Sequence, residues 1–193
     1  MRAPEVDLSF PHYWQAEILP ARPAILPTRH FVYPRDAEEI ERGALEVLVK
    51  PHAPGETTVR VQPFLATCAL GFRDPAVPTG VWAAPNPREI CAVSGGYAYI
   101  IDTADPEHFT MIHYRPVLEV RALAKEGLLL FVGHHSVLAW GADGLEWETG
   151  KLSDEGVTIT SIENGVLQGR GWDMLTDKER AFAVDLRSGE ITG

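Results

Sequence analysis

The stretch ICAVSGGYAYIID, residues 90–102, sets the pattern of this chain: an apolar run of strand length, a Gly-Gly pair, then a second apolar run studded with aromatics. LLLFVGHHSVLAWG, residues 128–141, repeats it, and VLQGRG starts it a third time at Val166. Ile90, Leu128 and Val166 stand 38 residues apart, and so do Gly95, Gly133 and Gly171. Glu126-Gly127 and Asn164-Gly165 keep the same offset ahead of the next apolar run. A fixed interval of this size marks one supersecondary unit used several times.

Working outward, ICAVS, LLLFV and VLQGR are the first strands of three units, and YAYIID, SVLAWG and AFAVDL the second. HFTMIHY and LEWET are third strands, while VLEVRALA and VTITSIE lead into the next unit. Gly95-Gly96, Asp143-Gly144, Asn164-Gly165 and Ser188-Gly189 are tight-turn pairs in which glycine supplies positive φ. WDMLTDKER, residues 172–180, is a polar excursion that interrupts the third unit. Upstream, ETTVRVQPF (residues 56–64) alternates with period 2, as a half-buried antiparallel strand does. FLATCALGF, GVWAA and ALEVLVK also read as strands. Asp36 and Glu39 form a capping-box pair that predicts one short helix over residues 37–42. Pro4, Pro11, Pro20, Pro23, Pro27 and Pro34 bar residues 1–35 from a long helix or a central strand. Their many apolar side chains predict a mostly irregular arm wrapped over the domain or a partner. The expected fold is all-β and mainly antiparallel, with residues 1–51 packing as an arm, short helix and first strand on a repeat domain of residues 52–193.

The stretches SVLAWGADGLEWETG (residues 136–150) and AFAVDLRSGEITG (residues 181–193) resemble β-propeller blades, particularly those of quinoprotein (PQQ-type) repeats. In such blades a strand ends in a small polar turn with glycine and the next strand runs to an aromatic. Here Ala139-Trp140 is followed by Asp143-Gly144 and Trp147, and Val184-Asp185 by Ser188-Gly189. The resemblance covers residues 90–193 and implies two to three blade-like meanders. Closed propellers need at least about four blades, so three units, the last truncated, predict an open sheet closed by the arm, a sandwich or a fragment. No quinoprotein ligand residue is matched, and no cofactor is expected.

The 193 residues carry a formal net charge of −10, with Lys and Arg scattered singly. Such a surface repels phosphate backbones, which excludes nucleic acid as the expected partner. Cys68 and Cys91, the only cysteines, lie in apolar runs at a spacing that matches no zinc pattern; buried free thiols are expected. The N-terminus lacks an apolar signal core and no run reaches membrane-spanning length. The expectation is a cytoplasmic protein with no membrane partner.

Candidate chemistry is sparse. His113, His134 and His135 could meet Asp102 or Asp143 in space as a catalytic site. His134 and His135, being adjacent, point to opposite faces of an extended segment, and His108 and His113 are equally ill-spaced, so no metal site is expected. Trp82, Trp140 and Trp147 read as core. Trp172, in the polar excursion with Arg170, Asp173 and Asp177, reads as a recognition loop. His12-Tyr13-Trp14 reads as an anchor for the arm. No serine elbow, phosphate-binding loop or zinc-protease motif occurs. The leading expectation is a non-catalytic binding or assembly module, meeting a protein partner or a second copy through sheet edges, the arm or the 172–180 loop. The rivals are a small hydrolase or lyase with a His/Asp site, and a self-associating structural protein.

Overall fold

The computed structural model describes residues 3–35, 42–52 and 62–192. All but residue 42 of the helix expected over residues 37–42, with Asp36 and Glu39 as its cap, and most of the strand expected over residues 56–64 lie outside the described residues. The protein is all-β and mainly antiparallel. The strands are β1 (Glu5–Asp7), β2 (Trp14–Leu19), β3 (His30–Tyr33), β4 (Ala44–Pro51), β5 (Phe64–Ala69), β6 (Gly80–Ala83), β7 (Glu89–Ser94) and β8 (Tyr97–Asp102). They continue as β9 (Phe109–Met111), β10 (Glu119–Leu123), β11 (Leu128–Val132), β12 (Val137–Gly141), β13 (Gly144–Glu148), β14 (Val157–Glu163), β15 (Val166–Asp173) and β16 (Lys178–Asp185).

They form four sheets. The first has the order β2-β4-β5-β3, the second β1-β6-β7-β8-β9, the third β10-β11-β12-β13 and the fourth β14-β15-β16. The 38-residue interval marks the second strand of each of three consecutive meanders, β7, β11 and β15. The first sheet, which the interval does not reach, joins β4 to β5 across the residue 51/52 boundary. β1, β2 and β3 all lie at sheet edges, where a segment short of backbone donors is tolerated; the rest of the arm is irregular. β1 and β3 join their neighbours β6 and β5 in parallel. Among the described residues no helix is long and apolar enough to cross a membrane.

The sheets pack face to face. β11 is buried along its whole length. Leu129 and Phe131 join Leu138 and Trp140 in a core shared with the first two sheets. Leu128, Leu130 and Val132 join Val137, Ala139 and Trp147 against Val157, Ile159, Leu167, Phe182 and Val184 of the fourth sheet. The third sheet is thus apolar on both faces, and so its strands read as continuous hydrophobic runs rather than alternations.

Indole N–H groups tie neighbouring layers together. Trp14 Nε1 donates to the Glu89 carbonyl (3.1 Å), linking the first sheet to the second. Trp140 Nε1 donates to Glu89 Oε2 (3.0 Å), linking the third to the second. Trp147 Nε1 donates to the Leu186 carbonyl (2.8 Å), linking the third to the fourth. Trp14 is fully buried, as expected of an anchor. A tryptophan of ~200 Å² removed from water contributes about 5 kcal/mol before ordering costs.

The glycines at the 38-residue interval have different physical roles. Gly95 and Gly96 have φ of 56° and 77° and make the β7–β8 turn, as Asn164 (52°) and Gly165 (78°) make the β14–β15 turn; both pairs suit two-residue hairpins. Gly133 lies beneath the Tyr114 ring, 2.9 Å from where a Cβ would sit. Gly171 is inside β15, and a Cβ there would overlap the Leu152 carbonyl.

Phe131→Ala should cost about 3–5 kcal/mol, because Phe131 is fully buried in the core shared with the second sheet. Leu145→Ala, on the exposed side of β13, should stay within about 0.5 kcal/mol. Urea denaturation of the two variants checks this; equal costs would contradict a two-faced third sheet.

Candidate functional site

Three groups of polar or exposed side chains carry chemistry. The first lies where the segment after β9 meets the β11–β12 hairpin and the end of β13. Tyr114 Oη donates to Glu148 Oε1 (2.9 Å) and lies 2.7 Å from Ser136 Oγ. Ser136 Oγ is 3.3 Å and His113 Nε2 is 3.2 Å from the same carboxylate oxygen. The Tyr114 hydroxyl is held above its ordinary range, first by burial, with the Glu148 carboxylate adding to it against the Ser136 hydrogen bond. That is the reverse of what a tyrosinate base requires.

His113 therefore meets Glu148, and neither Asp102 nor Asp143. Asp102 closes a turn by accepting from the Ala104 (2.8 Å) and Asp105 (3.2 Å) amides, and pairs with Arg88 at 3.1 Å. Asp143 is exposed in the β12–β13 turn. His134 is also exposed, its ring 6.2 Å from that of His135. His135 Nδ1 contacts the Ser153 carbonyl at 3.0 Å, and the His135 carbonyl accepts from the Leu152 amide at 2.7 Å. These contacts fasten the 149–154 loop to the hairpin. Among the described residues the Ser136 hydroxyl bonds Tyr114 and Glu148 and no imidazole, so no nucleophile–histidine pair forms among them. The group clasps three segments together.

A second chain of contacts lies on the outer side of the first sheet. Arg22 Nε donates to Glu46 Oε1 (2.9 Å), Thr67 Oγ1 donates to Glu46 Oε2 (2.5 Å), and His30 Nε2 lies 2.8 Å from Thr67 Oγ1. Because the threonine proton goes to Glu46, His30 must donate to Thr67. Burial, then Arg22, lowers the His30 pKa. Glu46 opposes that shift, and Thr67 is fully buried.

The third group is the β15–β16 hairpin, and here the structure corrects the sequence reading. The excursion WDMLTDKER is not a loop throughout residues 172–180. β15 runs to Asp173 and β16 begins at Lys178, in register from Val166↔Asp185 to Asp173↔Lys178. Only residues 174–177 form the turn. Asp173 Oδ1 accepts from the Leu175 (2.9 Å) and Thr176 (3.3 Å) amides, and Asp173 Oδ2 accepts from Arg180 (3.1 Å). Against the opposing effect of burial, these bonds together lower its pKa. Asp154 Oδ2 accepts from the Met174 amide (2.9 Å), and Asp177 supplies a positive φ of 54°. Asp173 and Asp177 thus shape the turn. At its apex Met174 is 68% and Leu175 96% exposed. Arg170 and Trp172 lie on β15, on the outward face of the fourth sheet, while Trp82, Trp140 and Trp147 are buried.

Sequence reasoning missed Glu148, Tyr114 and Ser136; Tyr114 and Ser136 are adjacent to His113 and His135, and Glu148 had no local signal. Among the described residues no group of three or more His, Cys, Asp or Glu side chains comes together that could hold a metal ion. Cys68 and Cys91 are free and buried, and burial raises both thiol pKa values. Compared with known proteins, the chain matches no family model and no curated sequence.

Tyr33, which donates to the Pro106 carbonyl (2.7 Å), and Tyr114 are both held neutral above their ordinary 10.0. A raised folded-state pKa gives stability that is complete below the unfolded value and falls as pH rises beyond it. Melting temperature should therefore decline above about pH 10, starting lower where the buried thiols contribute. Tyr114→Phe should flatten the tyrosine part of that decline, and differential scanning calorimetry across pH 8–11 reads it. An unchanged slope would contradict the burial of Tyr114.

Proposed function

We propose that this protein is a non-catalytic binding and assembly module, its blade-like sheets presenting the β15–β16 tip to an apolar pocket of another protein. The observation that carries the reading is the pairing of exposure with rigidity. Met174 and Leu175 are exposed side by side, while hydrogen bonds to Asp173 and Asp154 fix the backbone beneath them. A fixed apolar knob loses little entropy on docking, so its burial converts efficiently into affinity. The groove beside the fourth sheet is lined by Glu155, Thr158, Arg170 and Glu179 around Trp172, whereas the one beside β3 sets Phe31, Val32, Pro106 and Phe109 among His30, Arg35 and Glu107. The hydrolase or lyase reading has less support, since each polar cluster is closed by its own hydrogen bonds.

A photo-cross-linking residue at position 175 should trap one discrete protein, whereas the same residue at exposed Lys125 should not. The purified partner should then bind the Met174→Asp/Leu175→Asp variant at least about tenfold more weakly, with an unchanged melting temperature because both side chains are solvated. Equal adducts at both positions, or equal affinity of the variant, would overturn the reading. A cross-linked dimer of this chain would replace it with self-association.

A further inference from the structure

The sequence Gly169-Arg170-Gly171-Trp172 alternates small and large residues along β15. Gly169 and Gly171 are buried against the body of the protein, which turns Arg170 and Trp172 to the outward face. Thr158 stands opposite Arg170 and Glu179 opposite Trp172. With Glu155 and Gly156 they line a shallow pocket of about 350 Å³. A Cβ at Gly156 would meet nothing within 4 Å, so the space beside the indole is open. The Trp172 indole N–H makes no hydrogen bond among the described residues.

We propose that this pocket is a subsite for a neutral pyranose ring stacked on Trp172. The choice of ligand follows from charge. Arg170 Nη1 lies 3.4 Å from Glu179 Oε2, and both side chains are largely exposed. A cation would be attracted by Glu155 and Glu179 but repelled by Arg170. An anion would meet the converse, within a protein of net charge −10. A ring bearing several hydroxyls uses both signs: it donates to the carboxylates, accepts from the guanidinium, and exchanges hydrogen bonds with Thr158. Its C–H face lies against the indole, whose π face carries partial negative charge. The site is separate from the hairpin tip and does not depend on the protein-binding reading.

Titration of the ¹⁵N-labelled protein with methyl glycosides of common hexoses, followed at the tryptophan indole signals, tests this. The signal lost in Trp172→Phe identifies Trp172. It should shift saturably at millimolar glycoside, while the signals of the buried tryptophans stay in place. Arg170→Met and Glu179→Gln should each weaken binding by about tenfold, and Trp172→Ala should abolish it with the other four indole signals unmoved. Leu175→Asp should leave the titration unchanged. A matching disaccharide, titrated alongside, separates a terminal sugar from an internal one. No saturable shift with any glycoside, or a stronger response to tetramethylammonium or inorganic phosphate, would overturn the proposal.

Discussion

The third sheet has no solvent face at its centre, and the other layers are arranged around that fact. β11 sends Leu129 and Phe131 to one side and Leu128, Leu130 and Val132 to the other. A sheet apolar on both faces must be covered on both. The second sheet covers one side and the fourth the other, with Trp140 and Trp147 supplying the polar links at the two interfaces. The two ends of the stack solve the opposite problem. The fourth sheet turns Thr158, Gln168, Arg170 and Glu179 outward and so ends the stack with a wettable surface, as terminal units of layered proteins do. The first sheet instead buries Glu46 and Thr67 beneath the Arg22 segment, where each polar atom finds a partner.

Much of this order was legible in the sequence from Ile90 onward. Strand runs, the Gly95-Gly96 and Asn164-Gly165 turns and the burial of three tryptophans follow from local chemistry, because each meander pairs neighbours in the chain. The prolines of the arm barred it from central strands, and its strands β1, β2 and β3 lie at sheet edges. The first sheet was not legible. Its order β2-β4-β5-β3 pairs segments separated by up to dozens of residues, and no local periodicity encodes which strand lies beside which. The β15–β16 hairpin was misread for a related reason. Lys178 to Ala181 are exposed on both faces. A strand that projects beyond the core has no buried side and so shows no alternation.

The polar clusters were less legible still. His113 and His135 drew notice as residue types, yet the partner that organises the first cluster, Glu148, lies 35 residues from His113. It is recruited only because the third sheet brings the end of β13 beside the β11–β12 hairpin. Asp173 and Asp177 drew notice as charges, but their roles are a turn acceptor and a positive-φ residue. The backbone decides both. Arg170 and Trp172 share one surface of the fourth sheet, placed there by strand alternation and not by a loop.

The arm's pairings also set an order of assembly. The fourth sheet joins strands adjacent in sequence and can form as soon as they exist. β1 waits for β6, and the Trp14 indole finds its acceptor 75 residues downstream. During synthesis β1 and Trp14 are therefore held without these partners until β6 and Glu89 follow. Since the cost of closing a loop grows only slowly with its length, that delay burdens kinetics more than stability. Until β6 and β4 follow, the edges of β1 and β2 stand open to other chains.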